Sequence, residues 1–248
     1  MRIEYSSISD KGLHREVNQD AIFAKVNGHM AMLAVADGMG GHSYGEKASE
    51  IIVTELEKCW VSFLDLENCQ FNKLVDEIIL YLEHANQMIY EGFNRESICG
   101  TTIVLLFIYG NSYCTISAGD SRIYTKEGFI LKQITSDDVW ENQLDVIHNY
   151  KKKEILNHSS YGKLVSAVGI KPSVSLNVRT DLWENKVRFL LCSDGLYKMC
   201  TEKEIRKILG SYKGNKNGDI IINKALKMVY DKGARDNVSM ILVVCEEQ

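Results

Sequence analysis

Five aspartates stand in short polar motifs at the ends of apolar runs: Asp20 in "REVNQDAIF", Asp37 in "AVADGMGGH", Asp120 in "SAGDSRIY", Asp194 in "FLLCSDGLY" and Asp236 in "GARDNVSMIL". Singly, each reads as a turn residue, because Asp-Gly and Asp-Asn are favoured turn pairs and the aspartate side chain hydrogen-bonds its own backbone. Jointly, they form a candidate ligand set. Carboxylates gathered at one edge of a buried sheet repel one another unless paired or bound to metal. The nearby cations in sequence are few: Arg15, Arg122 and Arg235. A divalent cation would resolve the conflict. Oxygen-only ligands suit magnesium, manganese or calcium and not zinc or copper. The six histidines show no His-Glu-x-x-His spacing. Two such ions side by side can lower the pKa of a bridging water and clamp a phosphoryl oxygen.

Around Asp37 the glycines are dense, with Gly38, Gly40, Gly41 and Gly45 following it. Glycine permits unusual backbone angles and close approach at an entropic cost. A tight turn, a phosphate cradle and a metal site are all open as reasons. In the metal reading, Gly38 lets a backbone carbonyl reach the ion, while Gly40 and Gly41 keep side chains out.

The elements that must position these residues follow from periodicity. Strands are expected at about 20–26 and 30–36 around Asn27-Gly28, a hairpin turn signal. Helices follow at about 44–60 and from Phe71 through Leu74, Val75, Ile78, Ile79, Leu82 and Ala85 at helical spacing. "GTTIVLLFIY" and "SYCTISA" flank Gly110-Asn111, and "RIYT" and "FILKQI" flank a turn near Glu127-Gly128. A polar, helix-prone stretch covers about 137–156. Strands at about 173–182 and 186–193 precede helices at about 202–212 and 218–231. Thr201 and Glu204 make a capping box. The strand "NVSMILVVC" closes the pattern. Strand runs and helix pairs in separate blocks indicate α+β. The expected architecture is an α-β-β-α sandwich of two antiparallel sheets flanked by helix pairs, with residues 1–248 forming a single domain.

Composition narrows the class. A chain of 248 residues with 45% hydrophobic residues has material for a full core, and its net charge of −4 argues against nucleic acid and anionic membrane as partners. The lysines at 151–153 read as a solvated helix face. Seven cysteines without a Cys-x-x-Cys pair suit reduced thiols in a cytoplasmic setting rather than disulfides or zinc. "MRIEYSSISDKG" has no apolar core for a signal peptide.

The motifs Arg15–Asp20, Asp37–His42, Gly119–Arg122, Ser193–Leu196 and Asp236–Ser239 occur in the order of one family. With "LVSAVG" at 164–169, the chain resembles the metal-dependent type 2C serine/threonine protein phosphatases, in their compact bacterial branch. The resemblance runs from about Ile3 to Val244. It implies the same α-β-β-α sandwich and two manganese or magnesium ions that activate a water for in-line attack on phosphorus. Carried over position by position, Asp37 would bridge both metals and the Gly38 carbonyl would bind one. Asp20, Asp194 and Asp236 would complete the shells, and Asp120 with Asp194 would hold a weaker third metal. Arg15 would bind the substrate phosphate, a role suited to its bidentate fork. The implied partners are phosphorylated proteins, substrates of a serine/threonine kinase, and a monomer is expected.

The chain departs from the pattern in places. Gln19 stands where many relatives carry glutamate, which removes an outer negative charge. Met39 stands where eukaryotic members carry a histidine proposed as general acid, and His42 is a candidate substitute. "TSDDV" at 135–139 replaces the usual Thr-x-Asp-His-Ser. Rival chemistries fare worse. Cys200 and Arg206 match Cys-x5-Arg, but Glu202 and Glu204 would repel a phosphate there. Gly40 and Gly45 match a phosphate-loop spacing, but Glu46 stands where lysine is required. A phosphoprotein-binding pseudophosphatase without turnover is the remaining alternative.

Overall fold

Alternation of side chains along β-strands explains most of the architecture. In the computed structural model, which describes residues 1–40, 44–64, 69–93, 98–127 and 130–247, strands β1 (Arg2–Asp10), β2 (Asp20–Asn27) and β3 (Met30–Gly40) precede helices α1 (Tyr44–Leu64) and α2 (Phe71–Phe93). Strands β4 (Cys99–Thr101), β5 (Ile103–Tyr109), β6 (Ser112–Ala118), β7 (Arg122–Glu127) and β8 (Ile130–Gln133) follow. A 3-10 turn (Trp140–Asn142) and two short helices, α3 (Leu144–Asn149) and α4 (Lys152–Leu156), lead to β9 (Asn177–Leu182) and β10 (Lys186–Cys192). Helices α5 (Asp194–Tyr197), α6 (Glu202–Ser211) and α7 (Gly218–Tyr230) and strand β11 (Val238–Glu246) complete the order.

The strands form two antiparallel sheets, ordered β1-β11-β10-β7-β8 and β2-β3-β5-β6-β9, with β4 extending the second by pairing β3. The central strands bury both faces, so they read as continuous apolar runs. On β3, Met32, Ala34 and Ala36 pack under α1 and α2, while Ala31, Leu33 and Val35 face the other sheet. On β11, Met240, Leu242 and Val244 pack under α6 and α7, while Ile241, Val243 and Cys245 face inward. The result is the expected α-β-β-α sandwich, with one core between the sheets and one beneath each helix pair.

The Thr201–Glu204 capping box is present. It places Cys200 just ahead of a capped helix, where burial raises its thiol pKa. No phosphate-binding loop is built there.

Three expectations need correction, and one strand goes beyond them. Strand β1 had no forecast: "RIEYSSISD" carries three serines and only one fully buried residue, yet it pairs with β11 over nine positions as an edge strand. Strand β3 does not end before Asp37 but continues through Gly40 by pairing with β4. The polar stretch at 137–156 breaks into the 3-10 turn, α3 and α4, because it lacks an apolar stripe long enough to dock one helix. Strand β9 begins at Asn177 rather than near 173. The turn at Gly128 lies outside the described residues.

Candidate active site

Both sheets contribute carboxylates to one rim of the sandwich. Asp20 opens β2 and sits directly across from Asp37 on β3. Asp120 lies in the connection from β6 to β7, which crosses between the sheets. Asp194 follows the end of β10 as the first residue of α5, and Asp236 lies two residues ahead of β11. Asp37, Asp120, Asp194 and Asp236 line a cleft of about 350 Å³ together with Arg15 and Gly38. Asp20 does not line the cleft; it is buried beside Asp37. All seven residues expected from sequence therefore meet at this rim. Met39 and Thr102 also line the cleft. Gly41 and His42 lie outside the described residues.

The backbone at Asp37 is held by an unusual exchange. Thr102 N–H donates to the Asp37 carbonyl at 2.8 Å, as in an ordinary antiparallel pair. In return, Asp37 N–H donates to the Thr102 hydroxyl at 3.1 Å rather than to its carbonyl. That hydroxyl also shares a 2.7 Å hydrogen bond with Ser121, the neighbour of Asp120. The break in the apolar run at Thr102 is thus the joint between the Asp37 and Asp120 segments.

Gly38 has a packing reason. A Cβ there would collide with the Gly45 carbonyl oxygen and approach the Gln19 carbonyl oxygen to 2.6 Å. Gly38 N–H donates to that same Gln19 oxygen at 3.1 Å. Gly38 and Gly45 therefore let the first turn of α1 pack against β3 and the residue that leads into β2. A ligand is not needed to explain Gly38 or Gly45.

Asn237 organises the loop that carries Arg15. Its Oδ1 accepts from Gln19 N–H at 2.9 Å, and its Nδ2 donates to the carbonyls of Lys11 and Val17, both at 3.0 Å. In sequence, Asp236-Asn237 reads as a turn pair, and no local pattern signals this role.

Burial and mutual repulsion set the electrostatics. Burial is the main cause that pushes the Asp37 carboxyl well above its ordinary pKa, and the charges of Asp20, Asp194, Asp120 and Asp236 push it further. Burial raises Asp20 to about 6 against the hydrogen bond it accepts from Ser193 at 2.7 Å. Asp120 is raised by burial and by Asp194. Two cations meet this negative field. Arg15 donates from Nε and Nη2 to the two oxygens of Asp236, each at 2.8 Å. Lys198 donates to Asp194 at 2.5 Å. Burial works against the charge on Lys198, and Asp194 outweighs it, so its pKa rises. Lys198 is not among the residues expected from sequence, although its i, i+4 spacing to Asp194 is the signal that points to it. Arg122, expected as a nearby cation, pairs instead with Asp137.

The residues fit a divalent cation in kind. The donors are oxygens, and Asp20 Oδ1 is buried with no hydrogen-bond partner among the described residues. A buried carboxylate oxygen left in that state is costly, and a cation beside it removes the cost. The ligand set is not preassembled: among the described residues, no three acidic, histidine or cysteine side chains form a closed cluster. Asp236 and Asp194 are engaged by Arg15 and Lys198, so a cation held by these two carboxylates would have to displace the ion pairs.

An α-β-β-α sandwich with a carboxylate cleft at the rim shared by its sheets is the arrangement that the motif resemblance implies. The chain belongs to the protein phosphatase 2C family, whose model matches residues 13–227. It is 32% identical over 253 residues to the protein phosphatase PhpP of Streptococcus pneumoniae, covering 99% of both chains. The solved serine/threonine phosphatase of S. agalactiae superposes with a TM-score of 0.84 at 27% identity, covering 98% of this chain and 99% of that one. The catalytic domain of the serine/threonine phosphatase PstP, solved in complex with two manganese ions, gives a TM-score of 0.77 at 26% identity over 98% of this chain and 99% of that one.

Proposed function

We propose that this protein is a manganese- or magnesium-dependent phosphatase acting on phosphoserine and phosphothreonine in proteins. The observation that carries the proposal is the convergence of four aspartates from both sheets, with Arg15, at one cleft, and of Asp20 buried directly behind Asp37. Asp20, Asp37, the Gly38 carbonyl, Asp194 and Asp236 would hold two ions, and Asp120 with Asp194 a weaker third. When bound, the ions supply water activation and neutralisation of phosphoryl charge. Arg15 stands at the cleft wall and presents a planar fork suited to a phosphate. Its pairing with Asp236 sets the guanidinium beside the ligand set, and a metal taken up by Asp236 would free the fork for a phosphate. The Asn237 bonds fix the Arg15 loop, so the guanidinium arrives preorganised. All five carboxylates are retained, which supports turnover over a purely phosphoprotein-binding role.

Phosphorylated products of a serine/threonine kinase are the substrate class. Residues 1–248 would act as one catalytic domain, as a monomer in the cytoplasm. Among the described residues, no helix is long and apolar enough to cross a membrane.

A kinetic comparison on phosphothreonine, phosphoserine and phosphotyrosine peptides tests this reading. Turnover is expected on the first two at least about tenfold above the third, the margin of about one well-placed contact. Arg15→Ala is expected to raise KM by about tenfold while changing kcat by less, because Arg15 binds ground-state phosphate. An unchanged KM would remove Arg15 from substrate binding. Faster turnover of the phosphotyrosine peptide would overturn the substrate class.

A further inference from the structure

Asp120 is gripped from two directions by residues that its own sequence motif does not include. The Tyr197 hydroxyl donates to Asp120 Oδ2 at 3.1 Å. The Tyr197 ring lies under the Arg122 guanidinium, 3.6 Å from the ring centroid. Arg122 is itself clamped by Asp137: Nη2 donates at 2.6 Å to Oδ2, and Nε reaches both oxygens at 3.0 and 3.1 Å. On the other side, Asp138 holds the backbone that precedes Asp120. Its carboxylate accepts from Gly119 N–H at 3.1 Å, and its own N–H donates to the Gly119 carbonyl at 2.8 Å. Asn177 donates to both Asp138 oxygens, at 3.0 and 3.1 Å. The two adjacent aspartates of "TSDDV" thus both lead to Asp120, one through a side-chain relay and one through the backbone.

We propose that Tyr197 is a positioning residue that orients the Asp120 carboxylate for cation binding, with Arg122 and Asp137 bracing its ring and Asp138 fixing the turn. The inference rests on the metal-site reading above. A carboxylate on a turn after glycine has two free torsions. A donor fixed on Oδ2 removes that freedom and leaves Oδ1 for the cation. The brace acts on a ring that stands at the half-buried end of a one-turn helix. The same root also anchors the segment above the cleft. Val165 N–H donates to the Asp138 carbonyl at 2.8 Å, Val139 bridges to Leu164, and Gly162 and Leu164 reach the cleft wall.

The simpler role for Tyr197 is packing alone, since its ring also abuts the core beneath α6 and α7. Tyr197→Phe separates the two roles, because it keeps the ring under Arg122 and removes only the hydroxyl. Calorimetric titration of the full chain with manganese is expected to show a tight and a weak phase, with Asp120→Asn losing the weak one. In Tyr197→Phe the weak phase is expected to weaken by about tenfold, the worth of a hydrogen bond to a charged group. The tight phase should stay within about twofold, and kcat at saturating manganese should return to near the wild-type value, because the chemistry itself is untouched. Weak phases that superimpose would overturn the inference, as would a tight phase that weakens equally, which would mark general loosening. A weak phase that persists in Asp120→Asn would place that cation elsewhere and overturn it too. A wild-type chain that binds no manganese would instead overturn the metal-site reading, and the inference with it.

Discussion

Asp37→Asn is expected to lower kcat by about a thousandfold or more at saturating manganese while making the metal-free protein more stable. The activity loss follows because asparagine keeps the shape but supplies no charge at the position expected to bridge both ions, and electrostatic stabilisation of the transition state is the largest catalytic contribution such sites make. The stability gain follows from the surroundings. Asp37 is half-buried at the cleft; desolvation raises its pKa most, and the charges of Asp20, Asp194, Asp120 and Asp236 raise it further. A carboxyl whose folded pKa is raised stabilises the fold fully only below its unfolded pKa, and that contribution is lost as pH rises through the folded value. Metal-free wild type should therefore lose stability between about pH 4 and the raised values, with Asp20 at about 6. Asp37→Asn removes one such group, so its thermal midpoint in EDTA should exceed that of wild type by a margin that widens from pH 5 to pH 8. Retained turnover would remove Asp37 from the ligand set. A lower midpoint in EDTA would contradict the account of repulsion.

Gly38→Ala is the second large effect, and it acts through packing rather than charge. The added methyl meets backbone oxygens of Gly45 and Gln19, neither of which is the end of a flexible side chain. Either the first turn of α1 or the start of β2 must move. Overpacking of this kind costs about 3 kcal/mol, which lowers the thermal midpoint by about 10 °C for a chain of this size. Because Asp37 and Asp20 flank the displaced backbone, kcat/KM should fall by about a hundredfold, the cost of an ångström-scale misplacement. A variant as stable and active as wild type would show that the close approach of β3, β2 and α1 is not needed.

The candidate site was legible because its carboxylates sit in short motifs that begin or end apolar runs, and those runs read as buried strands. The sheet and helix layers were legible for the same reason: β3, β5 and β11 are apolar on both faces, and α1 and α2 carry clear helical stripes. Legibility failed where the signal was long-range or polar. Strand β1 is held by backbone pairing with β11, so its serines carry no burial pattern to read. The continuation of β3 past Asp37 depends on β4, which arrives about sixty residues later in sequence. Lys198 could be read from its spacing to Asp194. Asn237, by contrast, acts on Lys11, Val17 and Gln19, more than two hundred residues away, where no local pattern points. The relay from Asp137 through Arg122 and Tyr197 to Asp120 crosses three separate segments and became visible only once the sheets had brought them together.

The central claim is that the convergent carboxylates perform metal-dependent hydrolysis of phosphoprotein. Phosphate release from a phosphothreonine peptide by the purified chain tests it directly, measured with added manganese, with EDTA, and for Asp194→Asn with added manganese. The account predicts turnover with manganese that EDTA abolishes, and a loss of most activity in Asp194→Asn, which deletes one ligand charge with little change of shape. Turnover that survives EDTA, or a wild-type chain that binds the peptide without releasing phosphate, would contradict it.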